Sequence, residues 1–187
     1  MESKTDLAIL GMLTVEPMSG YDMKQFCEQS LAHFWHESFG NLYPRLKRLA
    51  NNGLIKGNRV PSERGPDAIL YSLTTRGRTR LQTWLLEPPE AEHVRSEFML
   101  KFFFGAHAPA DVIDQMLLEY EQQQTRIRQH YKIIEETLRS ADDEREESFF
   151  WLLSLRRGQL LTAARLRWCR ECRTKFANHK NKEPLND

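Results

Sequence analysis

His36-Glu-Ser-Phe-Gly-Asn-Leu-Tyr-Pro-Arg-Leu-Lys-Arg-Leu-Ala-Asn-Asn-Gly-Leu-Ile55 is the stretch that decides the fold of this chain. At about 100° per residue, Leu42, Leu46 and Leu49 fall on one face of a helix. Gly40, Pro44, Lys47, Arg48 and Asn51 point away from that face, with Asn41 and Tyr43 on its flanks. Ser38 is placed to cap the start, and Asn51-Asn52-Gly53 to stop the helix in a left-handed turn. The outward face is therefore small, polar and basic, the form of a helix whose N-terminal residues enter a DNA major groove. An ordinary amphipathic helix with a solvated basic face carries the same pattern, so the flanking sequence has to decide.

Downstream, Leu54 to Val60 and Ala68 to Leu73 read as two short strands joined by the turn-rich Pro61-Ser-Glu-Arg-Gly-Pro-Asp67. A helix followed directly by a hairpin suggests a winged helix-turn-helix. Between Glu37 and Arg80 there are nine Lys or Arg against three acids, whereas the whole chain carries a net charge of only +1, so the positive charge is concentrated here. Upstream, the pattern predicts a first helix over about Thr5 to Val15, capped by Ser3 or Thr5, with Leu7, Leu10 and Leu13 inward and Pro17 ending it. Ser19-Gly-Tyr-Asp22 has the form of a capping box opening a second helix packed through Tyr21, Met23, Phe26, Cys27 and Leu31. Lys24 on that helix is a candidate phosphate contact, or a solvated lysine. Thr74 would cap a further helix with Arg76 and Arg78 on a basic face.

The pattern as a whole resembles the PadR family of bacterial transcription regulators. The resemblance is carried by Ile9-Leu-Gly11 with Leu13, Ser19-Gly-Tyr-Asp22 with Lys24 and Phe26, Phe34-Trp35, Leu42-Tyr-Pro44 with Leu46 and Leu49, Gly53-Leu-Ile55, Tyr71-Ser-Leu-Thr74 with Gly77, and Trp84-Leu85. The Tyr-Pro pair in the recognition helix and the Tyr-Ser-Leu-Thr closing the wing are its most specific marks. It covers residues 7 to about 104, and the helical remainder resembles, less specifically, the long dimerisation domain of the larger PadR subgroup. The resemblance implies a homodimeric, usually repressing, DNA-binding protein; the best-known members sense phenolic acids, and others sense drugs. Two departures stand out. Asp67-Ala-Ile-Leu70 occupies the place of the basic residues that often precede the wing tyrosine, and Asn41 stands two residues before Tyr43 where relatives often carry other small or amide residues.

Glu87-Pro-Pro-Glu90 marks a boundary, because adjacent prolines cannot continue a helix. The expected organisation is mainly α with a small β-hairpin: a winged helix-turn-helix over 1–87, a helical dimerisation and ligand-response domain over 88–177, and a disordered tail over 178–187. Val94 to Gly105, with Phe98, Phe102, Phe103 and Phe104, is too apolar to face water and should be buried between domains or at a subunit interface. Such a lining would also suit a small aromatic effector. Ile113, Leu117, Tyr120, Gln124, Ile127, Tyr131, Ile134 and Leu138 form a heptad seam interrupted once, by Gln124. Its partner helix carries Phe149 to Leu153, Leu160, Leu161, Ala164 and Trp168, an apolar face wider than one neighbour covers. An antiparallel hairpin that also packs on a second subunit is expected, with Ile127, Tyr131, Ile134, Phe150, Leu153, Leu161 and Trp168 at the dimer contact and Gly158 at a close approach or kink.

Other classes are weakly represented. No apolar run reaches the roughly 20 residues needed to span a bilayer, and the first residues lack the form of a signal peptide, so a cytoplasmic protein without a membrane partner is expected. Three cysteines argue against a disulfide framework. His33 and His36 lie close together, but no nucleophile-base set, phosphate loop or metal frame surrounds them, so neither catalysis nor a cofactor is expected. Cys169 and Cys172 could bind a metal or cycle as a dithiol, which leaves a thiol or metal sensor as one alternative. A protein-interaction adaptor that keeps the winged fold is another. The function expected is a ligand-responsive repressor, acting as a homodimer on a pseudo-palindromic operator. Lys47 and Arg48 would hold phosphates or read guanines, with Lys24, Ser38, Asn41, Tyr43 and Pro44 alongside and Arg59 and Arg64 on the wing.

Overall fold

The computed structural model describes residues 3–31, 34–35, 41–61, 68–140 and 146–180. The chain forms two compact units, residues 1–91 and 92–187, each with its own packing. In the first, α1 (Lys4–Val15) is opened by a capping box: the Ser3 hydroxyl accepts from the Asp6 backbone N–H and the Asp6 carboxylate accepts from the Ser3 N–H. The same device opens α2 (Gly20–Phe26) through Ser19 and Asp22, and a π-helical turn over Cys27–Leu31 follows. Leu7, Ile9, Leu10 and Leu13 of α1 and Met23 and Cys27 of the α2 segment enter one core. Tyr21 does not join it: 64% exposed, it points outward and its hydroxyl accepts from Gln25.

The third helix, α3, spans Leu42–Asn51. It is preceded by Asn41, whose side chain makes no capping bond, while the expected cap Ser38 lies outside the described residues, as do Gly40, His33 and His36. Leu42, Leu46 and Leu49 are buried to 3% exposure or less, as their spacing requires. Gly53 stops the helix in the left-handed region at φ 68°, where a residue without Cβ carries no strain.

The chain then runs into an antiparallel ribbon of β1 (Ile55–Val60) and β2 (Ala68–Leu73), paired from Ile55 opposite Leu73 to Val60 opposite Ala68. Tyr71 of β2 also exchanges two backbone hydrogen bonds with Met18, its N–H to the Met18 carbonyl at 2.9 Å and its carbonyl from the Met18 N–H at 3.0 Å. Helix α4 (Thr75–Leu85) leaves the ribbon through Thr74, whose hydroxyl accepts from the Gly77 N–H and donates toward the Gly53 and Leu54 carbonyls, 2.8 and 2.9 Å away. Gly77 is required there: a Cβ would stand 2.1 Å from the Leu54 carbonyl oxygen.

In the second unit, the short α5 (Glu97–Phe103) precedes two long helices, α6 (Ala110–Ser140) and α7 (Glu146–Lys180). They pack antiparallel, with Glu121 bound to Arg173 and Glu135 to Gln159. The α6 seam is the one its spacing dictates, with Ile113, Leu117, Gln124 and Tyr131 buried. The α7 side repeats every seventh residue through Ser148, Leu155, Thr162 and Cys169, joined by Leu166. Gly158 is a point of close approach, since a Cβ would lie 3.0 Å from the Tyr131 ring. α7 stays helical through Lys180, where the sequence pattern suggests a frayed tail from Asn178. Among the described residues no helix is long and apolar enough to cross a membrane.

Candidate nucleic-acid interface

The outward side of α3 is built on its buried underside: with Leu42, Leu46 and Leu49 fixed in the core, Tyr43, Pro44, Lys47 and Asn51 have to face outward. All four are exposed, as is Asn41 just before the helix. Tyr43 is 68% exposed yet well placed, because its ring lies against Gly20 at the start of α2; a Cβ on Gly20 would come within 2.9 Å of it. Tyr43 also neighbours Tyr71, whose phenol is pushed up by burial and, to a lesser degree, by Tyr43. One residue of the recognition helix thus packs on its partner helix.

The cations of this unit divide into two groups. Lys24 lies 3.9 Å from Glu28, and Arg80 3.7 Å from Glu87. Arg45 and Arg48, one turn apart on α3, both turn to Asp6 of α1. Arg45 reaches Oδ1 at 3.2 Å and Arg48 reaches Oδ2, while Arg45 also donates to the Ser3 hydroxyl. Asp6 is fully buried. Burial alone would raise its carboxyl, but the Ser3 N–H and the two guanidiniums outweigh it and hold the group below the usual carboxylate range. Among the described residues, Lys47, Lys56, Arg59, Arg76 and Arg78 form no ion pair and supply this unit's uncommitted positive charge. Arg64 lies outside the described residues.

Sequence reasoning groups Lys47 with Arg48 as equivalent contacts, and the structure separates them. It misses Asp6 and Arg45 altogether. The available signal is the acid three residues after Ser3, the reciprocal half of a capping box, together with an arginine pair spaced by three on the outward flank of α3.

The residues expected at a dimer contact also separate. Tyr131 is spent inside its own chain against Gly158, and Ile127 and Ile134 are half-buried along the same seam. Trp168 stands edge-on to Phe98, Phe102 and Tyr120, and Phe98 stacks on Tyr120 at 3.9 Å, so part of the α5 stretch packs within this unit. Phe150, Leu153 and Leu161 are 57%, 53% and 41% exposed and, with Phe149 and Leu160, lie on the side of α7 opposite its seam. Val94, Leu100, Phe103 and Phe104 are exposed as well. Burial pushes the thiols of Cys169 and Cys172 upward, the opposite of an activated cysteine. Among the described residues no group of three His, Cys, Asp or Glu is placed to hold a metal ion.

A helix-turn-helix whose outward helix is followed by a two-stranded wing, on a chain with a C-terminal helical hairpin, defines the class of winged-helix DNA-binding regulators. Residues 9–83 match the transcriptional regulator PadR-like family, and residues 94–177 match the virulence activator alpha C-terminal domain. The N-terminal unit thus carries a PadR-like domain, of a family of transcriptional regulators. It is 36% identical over 98 residues to the negative transcriptional regulator PadR of Bacillus subtilis, covering 52% of this chain and 54% of that one. The chain spans about half the length of the curated relatives it matches. Among solved structures, the PadR-like regulator BC1756 of Bacillus cereus superposes with a TM-score of 0.81 at 25% identity, covering 94% of this chain and 97% of that one. B. subtilis PadR in complex with operator DNA gives 0.81 at 23% identity over 93% and 99% of the two chains. The same protein in complex with p-coumaric acid gives 0.73 at 24% identity over 92% and 98%.

Proposed function

We propose that this regulator is a homodimeric, ligand-responsive repressor that binds a pseudo-palindromic operator in the cytoplasm through α3 and the wing. The observation that carries the reading is the outward face of α3, where Lys47 stands free of any described acid beside the exposed Tyr43, Pro44 and Asn41. A cation so placed loses nothing inside the protein when it meets a phosphate or a guanine edge. Arg59 on β1 would follow the flanking backbone. The B. subtilis relative is a negative regulator, which supports repression, and its complex with operator DNA supports the mode of binding.

Dimerisation is assigned to the free side of α7, where Phe149, Phe150, Leu153, Leu160 and Leu161 expose more contiguous apolar surface than a solitary helical hairpin tolerates. Two subunits joined this way would set two α3 helices into successive major grooves, about 34 Å apart. A small aromatic effector is proposed on the strength of the p-coumaric acid complex of the relative and of the aromatic residues on α5, α6 and α7. Bound preferentially to the geometry that does not fit DNA, it would lower operator affinity by its differential affinity for the two states.

The test is binding of the purified protein to the DNA upstream of its own coding region over a salt series, for wild type and Lys47→Ala, with and without p-coumaric acid. Binding that weakens with salt, is reduced in Lys47→Ala and is relieved by the acid is the expected result. Salt-insensitive or absent binding by a folded dimer would overturn the reading and favour a protein-interaction adaptor. Release by the acid is a separate arm, and its absence would overturn only the phenolic effector.

A further inference from the structure

We infer that Asp6 is a positioning residue for DNA recognition: it holds Arg48 back from the nucleic acid, so that Lys47 is the cation α3 presents. The inference rests on the DNA-binding reading of α3 above. Two guanidiniums on successive turns of α3 converge on one carboxylate of α1, although one would neutralise it. Arg45 is the more enclosed, its side chain 26% exposed, and it is bound to both Oδ1 of Asp6 and the Ser3 hydroxyl. Arg45 therefore completes the charge compensation of the buried acid. Arg48 is 51% exposed, next to Lys47 in sequence, and still turned to Oδ2. A half-exposed arginine on a DNA-facing helix is ordinarily drawn to phosphate, with five donors that fit it bidentately. Here its Nη2 is bound to Oδ2 of Asp6, the oxygen that also accepts the Ser3 N–H at 2.8 Å, which turns the guanidinium toward α1.

Releasing Arg48 to a phosphate would break a charge-assisted bond to a buried group, and a buried carboxylate stripped of a partner is costly. The exchange offers little net gain, so the tether persists when DNA arrives. Its consequence is selectivity. An unrestrained arginine beside Lys47 would add a backbone contact that strengthens binding to every sequence alike, and the clamp removes that contribution. The α1 N-terminal turn, remote in sequence from the recognition helix, thereby sets which of two adjacent basic residues reads the DNA.

The experiment measures the salt dependence of binding to a shuffled duplex of fixed length for wild type, Arg48→Ala, Asp6→Asn, the Asp6→Asn/Arg48→Ala double variant and Lys47→Ala. Each neutralised phosphate contributes about 0.9 to the slope of log K against log salt. Wild type and Arg48→Ala should share one slope, Asp6→Asn should be steeper by about one contact, and the double variant should return to the wild-type slope. A purely structural role for Asp6 would not steepen the slope and would not be reversed by removing Arg48. A shallower slope in Arg48→Ala means that Arg48 already meets phosphate, and overturns the inference. So does an Asp6→Asn slope equal to wild type. Should Asp6→Asn fail to fold, the comparison of wild type with Arg48→Ala decides alone. Lys47→Ala reports on the underlying reading: its slope should be shallower by one contact, and if it is unchanged, α3 is not the DNA-facing helix and both readings fall together.

Discussion

Replacing Gly77 by alanine should destabilise the N-terminal unit, although the same replacement at Gly11 should stabilise it. Both glycines sit inside helices, α4 and α1, where alanine is favoured by up to about 1 kcal/mol. Around Gly11 there is open space, so that gain is realised. At Gly77 the new Cβ would lie 2.1 Å from the Leu54 carbonyl oxygen and 2.8 Å from Leu73 Cδ1. Relief requires α4 to withdraw by about an ångström, an overpacking cost of about 1–3 kcal/mol. The Leu54 carbonyl is also the acceptor for the Thr74 N–H at 3.2 Å and hydroxyl at 2.9 Å, so withdrawal weakens two hydrogen bonds of about 1 kcal/mol each. After subtracting the helical gain, a net loss of about 2–4 kcal/mol is expected, or a fall in Tm of about 10–25 °C for a unit of this size. Urea unfolding followed by the fluorescence of Trp84, which packs on this core, reads the effect. A Gly77→Ala protein as stable as wild type, or shifted in the same direction as Gly11→Ala, would refute the close approach of α4 to the α3–β1 turn.

The second unit offers a parallel case: Gly158→Ala places a Cβ 3.0 Å from the Tyr131 ring and should cost about 1–2 kcal/mol, with partial rescue by the smaller Tyr131→Leu, measured by urea titration of the double-variant series. The depressed carboxyl of Asp6 makes a definite contribution to pH dependence. Its folded-state value lies below the unfolded one, so the stability it confers is present above about pH 4 and lost as pH falls through the folded value. Wild type and Asp6→Asn should therefore differ in stability near neutrality and converge in acid; a constant difference across that window would show the pairing to be unimportant. Burial, with Glu28 beside it, pushes the Cys27 thiol to about 11, so Cys27 should resist a thiol reagent in the native protein at pH 8 and react fully in urea. Fast native labelling of Cys27, identified by mass spectrometry, would contradict its place in the core.

What is legible in the sequence follows from local rules. Ser3, Ser19 and Thr74 cap helices because their hydroxyls reach the backbone three residues on, and that reach is encoded within four positions. Leu42, Leu46 and Leu49, and the α6 seam from Ile113 to Tyr131, are readable as helical period. Tyr71 with Gly77 marks the exit from the wing. What the sequence hides depends on contacts between distant segments. Nothing local distinguishes Arg48 from Lys47; the difference is made by Asp6, some forty residues away. Tyr21 looks apolar enough for the core but lies on the outer side of α2, and Tyr131 looks fit for a second subunit until Gly158 is seen to receive it. On α7, apolar residues occur on both sides of the helix, so composition alone does not say which side grips α6 and which is left uncovered.

The pair of backbone bonds between Met18 and Tyr71 has a mechanical consequence. Tyr71 belongs to the wing, Met18 to the turn that leads into α2, and Gly20 at the start of α2 lies against the ring of Tyr43 at the head of α3. Three segments are thus pinned at one joint, and none can swing without dragging the other two. The reading head is a single casting. In the dimeric switch proposed above, an effector could not work by tilting α3 against the wing; it would have to carry each head as a whole. The variable under control is then a length between two heads and not an angle inside one, and an operator would sense the effector through the spacing of its half-sites.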